Sequence, residues 1–187
     1  MVKLGLIWTL DETDLQQPVK EFPHEPWLEY VMQEWMAHKL LAIPKSRRMM
    51  QTWTMAVCHL WLAMFHEGAN VFLVSDKEEK SDALVKRCEF IFDHIPSGRI
   101  LLPKKRSKFC LMEFPGLNSF IRGVPQGAGQ LRQYTATALM FDEFAFWERG
   151  RETLSASKPT IEGGGRLTII SSAQEGAFQD VCFDTVE

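Results

Sequence analysis

The sequence predicts an α/β fold, a mostly parallel central sheet flanked by helices. Three observations carry that expectation. Four short segments, LLAIP (40–44), NVFLVS (70–75), TALMFDE (137–143) and RLTIISS (166–172), have the near-continuous apolar character of strands covered on both faces. Segments with helical spacing of apolar residues lie between them. Apolar residues make up 45% of the 187, enough to fill the core of one domain.

The elements follow in order. Residues 1–25 carry Pro18, Pro23 and several acids, and read as an extended N-terminal arm; 26–187 read as the folded domain. PWLEYVMQEWMAHK (26–39) opens with proline at a favourable first-turn position, and Trp27, Val31, Met32 and Trp35 follow helical spacing. LLAIP is a strand ended by Pro44. Thr52 to His66 is a buried helix closed near Gly68. After the strand 70–75, residues 76–95 form an amphipathic helix with an acidic start, ended by Pro96. Residues 108–124 hold two β-like runs around a Pro-Gly turn, a hairpin. Then come the strand 137–143, a helical fragment at 151–159 and the strand 166–172.

Composition narrows the function. Charged residues are 24% and the net charge is −3, so no global basic field advertises a polyanionic partner. Cys58, Cys88, Cys110 and Cys182 lack C-x-x-C spacing and read as reduced core thiols of a cytosolic protein. The five histidines show no metal-ligand spacing. The longest apolar segment, Trp53 to Phe65, is too short to span a bilayer, and no membrane partner is expected.

The four strands end in polar groups: Pro44 to Thr52, Ser75-Asp76, Asp142-Glu143 and Ser171-Ser172. In open α/β sheets ligands bind outside the carboxyl ends of the strands, so these ends point to one cleft. LMFDE delivers two adjacent carboxylates. In a nucleotide hydrolase the first, here Asp142, holds Mg²⁺ and the second, Glu143, orients the attacking water. Upstream, a basic loop joins a strand to a helix that opens at Thr52. The common phosphate loop, G-x-x-x-x-G-K-[ST], uses glycines to aim N–H groups, a lysine for phosphate oxygens and a hydroxyl for Mg²⁺. Aligned on Thr52, this chain has Met50 at the second glycine and Gln51 at the lysine. The helix N-terminus and the Thr52 hydroxyl survive, with Lys45, Arg47 and Arg48 as cations at the other end.

PKSRRMMQT followed by ALMFDE resembles the large terminase subunit of tailed bacteriophages, the ATPase that pumps DNA into capsids. Many members have a deviant loop, K-S-x-x-x-G-x-[ST], and Lys45, Ser46 and Thr52 fall on it, with Met50 departing from the glycine. GLNSFIRGVPQGAGQLRQYTATALMFDE resembles the family's run into the Walker B strand, and Arg132 matches its arginine finger, which acts on a neighbouring subunit's nucleotide. LTIISSAQEG resembles the coupling motif, matched by Ser171, Ser172 and Ala173.

The resemblance covers about residues 26–178. It implies a P-loop NTPase of the ASCE-like kind that binds ATP and Mg²⁺. ATP would lie on Pro44, Lys45, Ser46, Arg47, Arg48, Met49, Met50, Gln51 and Thr52, with Thr52 and Asp142 on the metal. Lys45, Glu143 and Arg132 would carry catalysis. The implied partners are double-stranded DNA, the portal and the small terminase subunit, in the host cytoplasm. The chain would form a homo-oligomeric ring when assembled and be a monomer alone. The family's nuclease domain is not found in this sequence. In the region of the family's adenine motif stands Trp27, which could stack on a base or anchor its helix in the core. The basic run PKKRSK (103–108) is either a solvated loop or a contact to a DNA backbone. Two alternatives stand beside the motor: a helicase-like ATPase, and a catalytically weak nucleotide-binding assembly module.

Overall fold

A computed structural model describes residues 1–131 and 135–183. Its elements in chain order are β1 (Trp8–Leu10), β2 (Val19–Glu21), α1 (Pro26–Ala37), β3 (Leu40–Lys45), α2 (Gln51–Phe65), β4 (Asn70–Ser75) and α3 (Glu78–Asp93). There follow β5 (Arg106–Lys108), β6 (Leu111–Phe114), β7 (Ser119–Pro125), α4 (Ala128–Leu131), β8 (Ala138–Asp142), α5 (Gly150–Glu162), β9 (Arg166–Ser172) and α6 (Ala177–Phe183). Seven strands form one sheet in the order β3-β9-β8-β4-β7-β6-β5. The first five are parallel; β6 and β5 extend that sheet as an antiparallel edge.

The central strands read as continuous apolar runs because both of their faces are covered. Along β4, Val71 and Leu73 point into a core shared with α1, α2 and α3, while Phe72 and Val74 point into a second core with α5 and α6. In β8, Ala138 and Met140 alternate with Leu139 and Phe141 in the same way. The period-2 geometry of a strand thus feeds two hydrophobic layers at once. Full burial of a side chain of this size is worth roughly 1.5–3 kcal/mol.

Two boundaries differ from the sequence reading. Pro44 does not end β3, which continues to Lys45 and pairs with β9 over its whole length. β3 is the edge of the sheet, so proline's missing N–H can face away from the ladder. Residues 1–25 are more than an extended arm. A 3-10 turn at Val2–Leu4 leads into the antiparallel hairpin β1–β2, and Val2, Ile7 and Phe22 are buried in the first core. The expected hairpin at 108–124 is present as β6–β7, with β5 added on its outer side.

Candidate functional site

The site is built at the carboxyl ends of β3, β9 and β8, which lie side by side. Register sets its core: Pro44 pairs with Ser171 and Lys45 with Ser172 across β3–β9, and Asp142 pairs with Ile170 across β8–β9. The loop from Lys45 turns through Arg48 and Met50, both in the left-handed region at φ 61 and 56. Glycine adopts that conformation without strain and other residues do so at a cost. Met50 therefore holds a backbone shape that a glycine would adopt without strain. It is the N-cap of α2, and no side chain caps the helix. The first N–H groups of a 15-residue helix face the cleft without a side-chain acceptor.

Two side-chain pairs close the centre. The Thr52 hydroxyl donates to Asp142 Oδ1 at 2.9 Å. Lys45 Nζ donates to Glu143 Oε1 at 2.5 Å. The Lys45 side chain is only 8% exposed, so this ion pair is well shielded on the lysine side. The second Glu143 oxygen accepts from the Ser172 N–H at 3.4 Å. Glu143 thus bridges Lys45 at the end of β3 and the end of β9. Its φ of 54 turns the carboxylate sharply away from the strand, and the Trp147 indole N–H fixes the bend by donating to Asp142 O at 3.0 Å. Ser171 is fully buried and accepts from the Ala145 N–H at 3.0 Å. Asp142 is buried, and burial raises its carboxyl above the ordinary range against the lowering effect of the Thr52 hydrogen bond.

A cleft of about 780 Å³ opens over these groups. From the loop, Lys45, Arg47, Arg48, Met49, Met50, Gln51 and Thr52 line it, together with Glu143. Pro44, within β3, and Ser46, just after it, are not among the lining residues, and Ala173 is exposed just past the end of β9. Gln51 is 5% exposed and its Oε1 has no hydrogen-bond partner. A buried acceptor left in this state costs about 1–3 kcal/mol unless a donor arrives. Arg132 lies outside the described residues. Trp27 packs against the first core and is not part of the cleft wall, which is the anchoring role.

Sequence reasoning missed half of the cleft. The tip of β1–β2, with Thr9, Leu10, Asp11, Glu12, Thr13 and Lys20, forms its far wall, and Trp53 and Arg87 form a side. The hairpin's strands are three residues each, and β2 is fully exposed, so neither leaves a periodic trace.

No protein-family model matches the chain, and no curated protein sequence matches it. Solved structures do. The ATPase domain of the large terminase of Thermus phage P74-26 superposes with a TM-score of 0.59 at 15% identity, over 86% of this chain and 69% of that one. The chain shares the fold of a phage large-terminase ATPase domain. The large terminase of bacteriophage HK97 gives a TM-score of 0.64 at 11% identity, over 92% of this chain and 37% of that one. A point mutant of the P74-26 domain superposes similarly, with a TM-score of 0.57 at 12% identity, over 86% of this chain and 69% of that one. At such identities the likeness is one of architecture: a mostly parallel seven-stranded sheet with helices on both faces.

Proposed function

We propose that this chain is the Mg²⁺-dependent ATPase domain of a viral large terminase subunit, a motor that drives double-stranded DNA into a capsid. One observation carries the reading. Lys45 at the end of β3 and Thr52 in the first turn of α2 meet the two adjacent carboxylates at the end of β8 pairwise, Lys45 with Glu143 and Thr52 with Asp142.

The residues fit the ligands. The open N-terminus of α2, Lys45, Arg47 and Arg48 suit a polyphosphate. Thr52 and Asp142 are hard oxygen donors suited to Mg²⁺. Bound there, Mg²⁺ would neutralise charge on the phosphate oxygens. When a phosphate competes for Lys45, the lysine exchanges one anion for another and releases Glu143. The freed carboxylate then orients water for attack on the terminal phosphorus, breaking the bond to the bridging oxygen of the departing ADP. Because Glu143 also accepts from the Ser172 N–H, its movement reaches the coupling strand directly. Arg132 is the arginine a neighbouring copy would supply to this site in an assembled ring. DNA, the portal and the small terminase subunit are the partners of such a ring, and the exposed strand β5 with Arg106 and Lys108 offers cations to a DNA backbone.

Calorimetry with Mg²⁺–ATP and phosphate release, alone and with DNA and portal, tests the reading. Lys45→Ala should lose nucleotide binding and hydrolysis together. Glu143→Gln should keep binding and lower turnover by roughly 10²–10³-fold. Full activity in Lys45→Ala would overturn the assignment. Nucleotide binding without turnover, in portal-assembled rings as well as alone, would favour a catalytically weak assembly module.

A further inference from the structure

The cleft holds a cation that this account leaves without a task. Arg87 is half-buried on α3 and lines the cleft beside the first turn of α2. Its guanidinium carbon lies 5.9 Å from the centre of the Trp53 ring. Trp53 directly follows Thr52, and Phe90 holds it edge-on with ring centres 5.8 Å apart. Phe90 is one turn along α3 from Arg87, so the arginine, the tryptophan and the phenylalanine fix one another. Stacking on an aromatic face attracts a guanidinium and restricts its motion while leaving its N–H fork free. The adjacent Lys86 is paired with Asp82 at 2.6 Å. Among the described residues no carboxylate forms an ion pair with Arg87.

The loop explains why a cation is needed on this flank. In the common phosphate loop, the residue before the threonine is a lysine projecting from the start of the helix. Here that residue is the neutral Gln51. Lys45 stands at the opposite end of the loop and is occupied by Glu143 at 2.5 Å. The first turn of α2 itself, Gln51, Thr52, Trp53 and Thr54, carries no positive side chain.

We propose that Arg87 is a phosphate-contacting residue of the nucleotide site, restoring from α3 the positive charge that Gln51 leaves out at the start of α2. The proposal rests on the reading of this cleft as an ATP site. A guanidinium matches phosphate oxygens with two parallel N–H donors, and its planar fork is already held in place by Trp53.

The test is isothermal titration of the full chain with Mg²⁺–ATPγS. Arg87→Met keeps the aliphatic stem on Trp53 and removes only the charged fork, and a thermal melt checks that the fold is retained. Arg87→Lys keeps a point charge without the fork. Lys158→Ala, an exposed cation on α5 away from the cleft, is the control for net charge. Arg87→Met should bind the nucleotide about 10–100-fold more weakly, Arg87→Lys should lie between it and the wild type, and Lys158→Ala should be unchanged. Wild-type affinity in Arg87→Met, with binding lost in Lys45→Ala, overturns the role of Arg87 and leaves the ATP site standing. No binding by the wild-type chain overturns both. Equal weakening in Arg87→Met and Lys158→Ala would show a diffuse charge effect and overturn the contact.

Discussion

The first turn of α2 and its middle each bury a polar atom without a hydrogen-bond partner: Gln51 Oε1 and His59 Nε2. Their surroundings differ. His59 is sealed in the first core, edge-on to Trp35 with ring centres 5.4 Å apart, and its Nδ1 bonds to Met55 O at 2.8 Å. Trp35 in turn donates to Thr168 at 3.0 Å and lies under the Arg166 guanidinium at 4.0 Å. Gln51 opens on the cleft, beside an uncapped helix start and a methionine in the left-handed region. A polar vacancy in the core can only be tolerated by staying neutral. One on the cleft can be filled by a ligand's donors. One helix therefore carries two different surroundings along its length: its middle is sealed in the core, and its first turn stands uncapped at the cleft.

The strongest way to break this comparison is at the cleft end. Thr52→Val removes the hydroxyl that meets Asp142 and leaves the shape almost unchanged. Hydrolysis should fall by about 10²-fold, near 2.7 kcal/mol, in a phosphate-release assay. Normal turnover in Thr52→Val would remove the Thr52 hydroxyl from the proposed catalytic arrangement.

The middle of the helix answers to pH. Burial holds the His59 imidazole down at about 4, from the ordinary 6.5. The unfolded chain binds this proton more readily. The contribution to stability is therefore complete above pH 6.5 and is lost as the pH falls towards 4. Between about pH 7.5 and pH 5 the loss should be about 2 kcal/mol in urea unfolding. His59→Asn should lack that part of the pH dependence, whatever its own cost. The same slope in both proteins would show that His59 is solvated.

Two smaller effects sharpen the contrast. Gln51→Met replaces the partnerless amide by an apolar chain of similar size. It should stabilise the nucleotide-free protein by about 1 kcal/mol in denaturant unfolding, while weakening Mg²⁺–ATP binding. Stabilisation without a binding loss would make Gln51 a packing residue. Met50→Gly relieves a left-handed methionine but loosens the unfolded chain, so the net gain should be about 0.5 kcal/mol, read as a shifted denaturant midpoint at constant slope.

What the sequence could show depended on whether a physical constraint left a trace in residue type. β4, β8 and β9 were legible because burial on both faces demands apolar residues throughout. Asp142 and Glu143 stood out because carboxylates at the end of such a run need a reason. Pro44 misled because its meaning depends on whether its strand is an edge, which only the sheet order reveals. β1–β2 was invisible because its strands are too short for periodicity. Arg87 looked like any solvated charge on an amphipathic helix, since its distinction lies in Trp53 across the gap. The pairing of Lys45 with Glu143 needed the fold; residue order alone assigns that lysine to phosphate.

The place of β3 in the sheet has a consequence for how the protein comes into being. β3 sits at the margin, and its one partner in the sheet is β9, the last strand along the described chain. Lys45 reaches its position only when Ser172, more than a hundred residues later, has come alongside. A nascent chain on the ribosome can form α2, β4 and α3 from nearby contacts, but the loop before α2 has no rail to lie on until β9 has been made. Closing so distant a contact is slow and comes late in folding. The connection between β3 and α2 is therefore synthesised long before the strand that fixes it, and is among the last parts of the cleft to take shape.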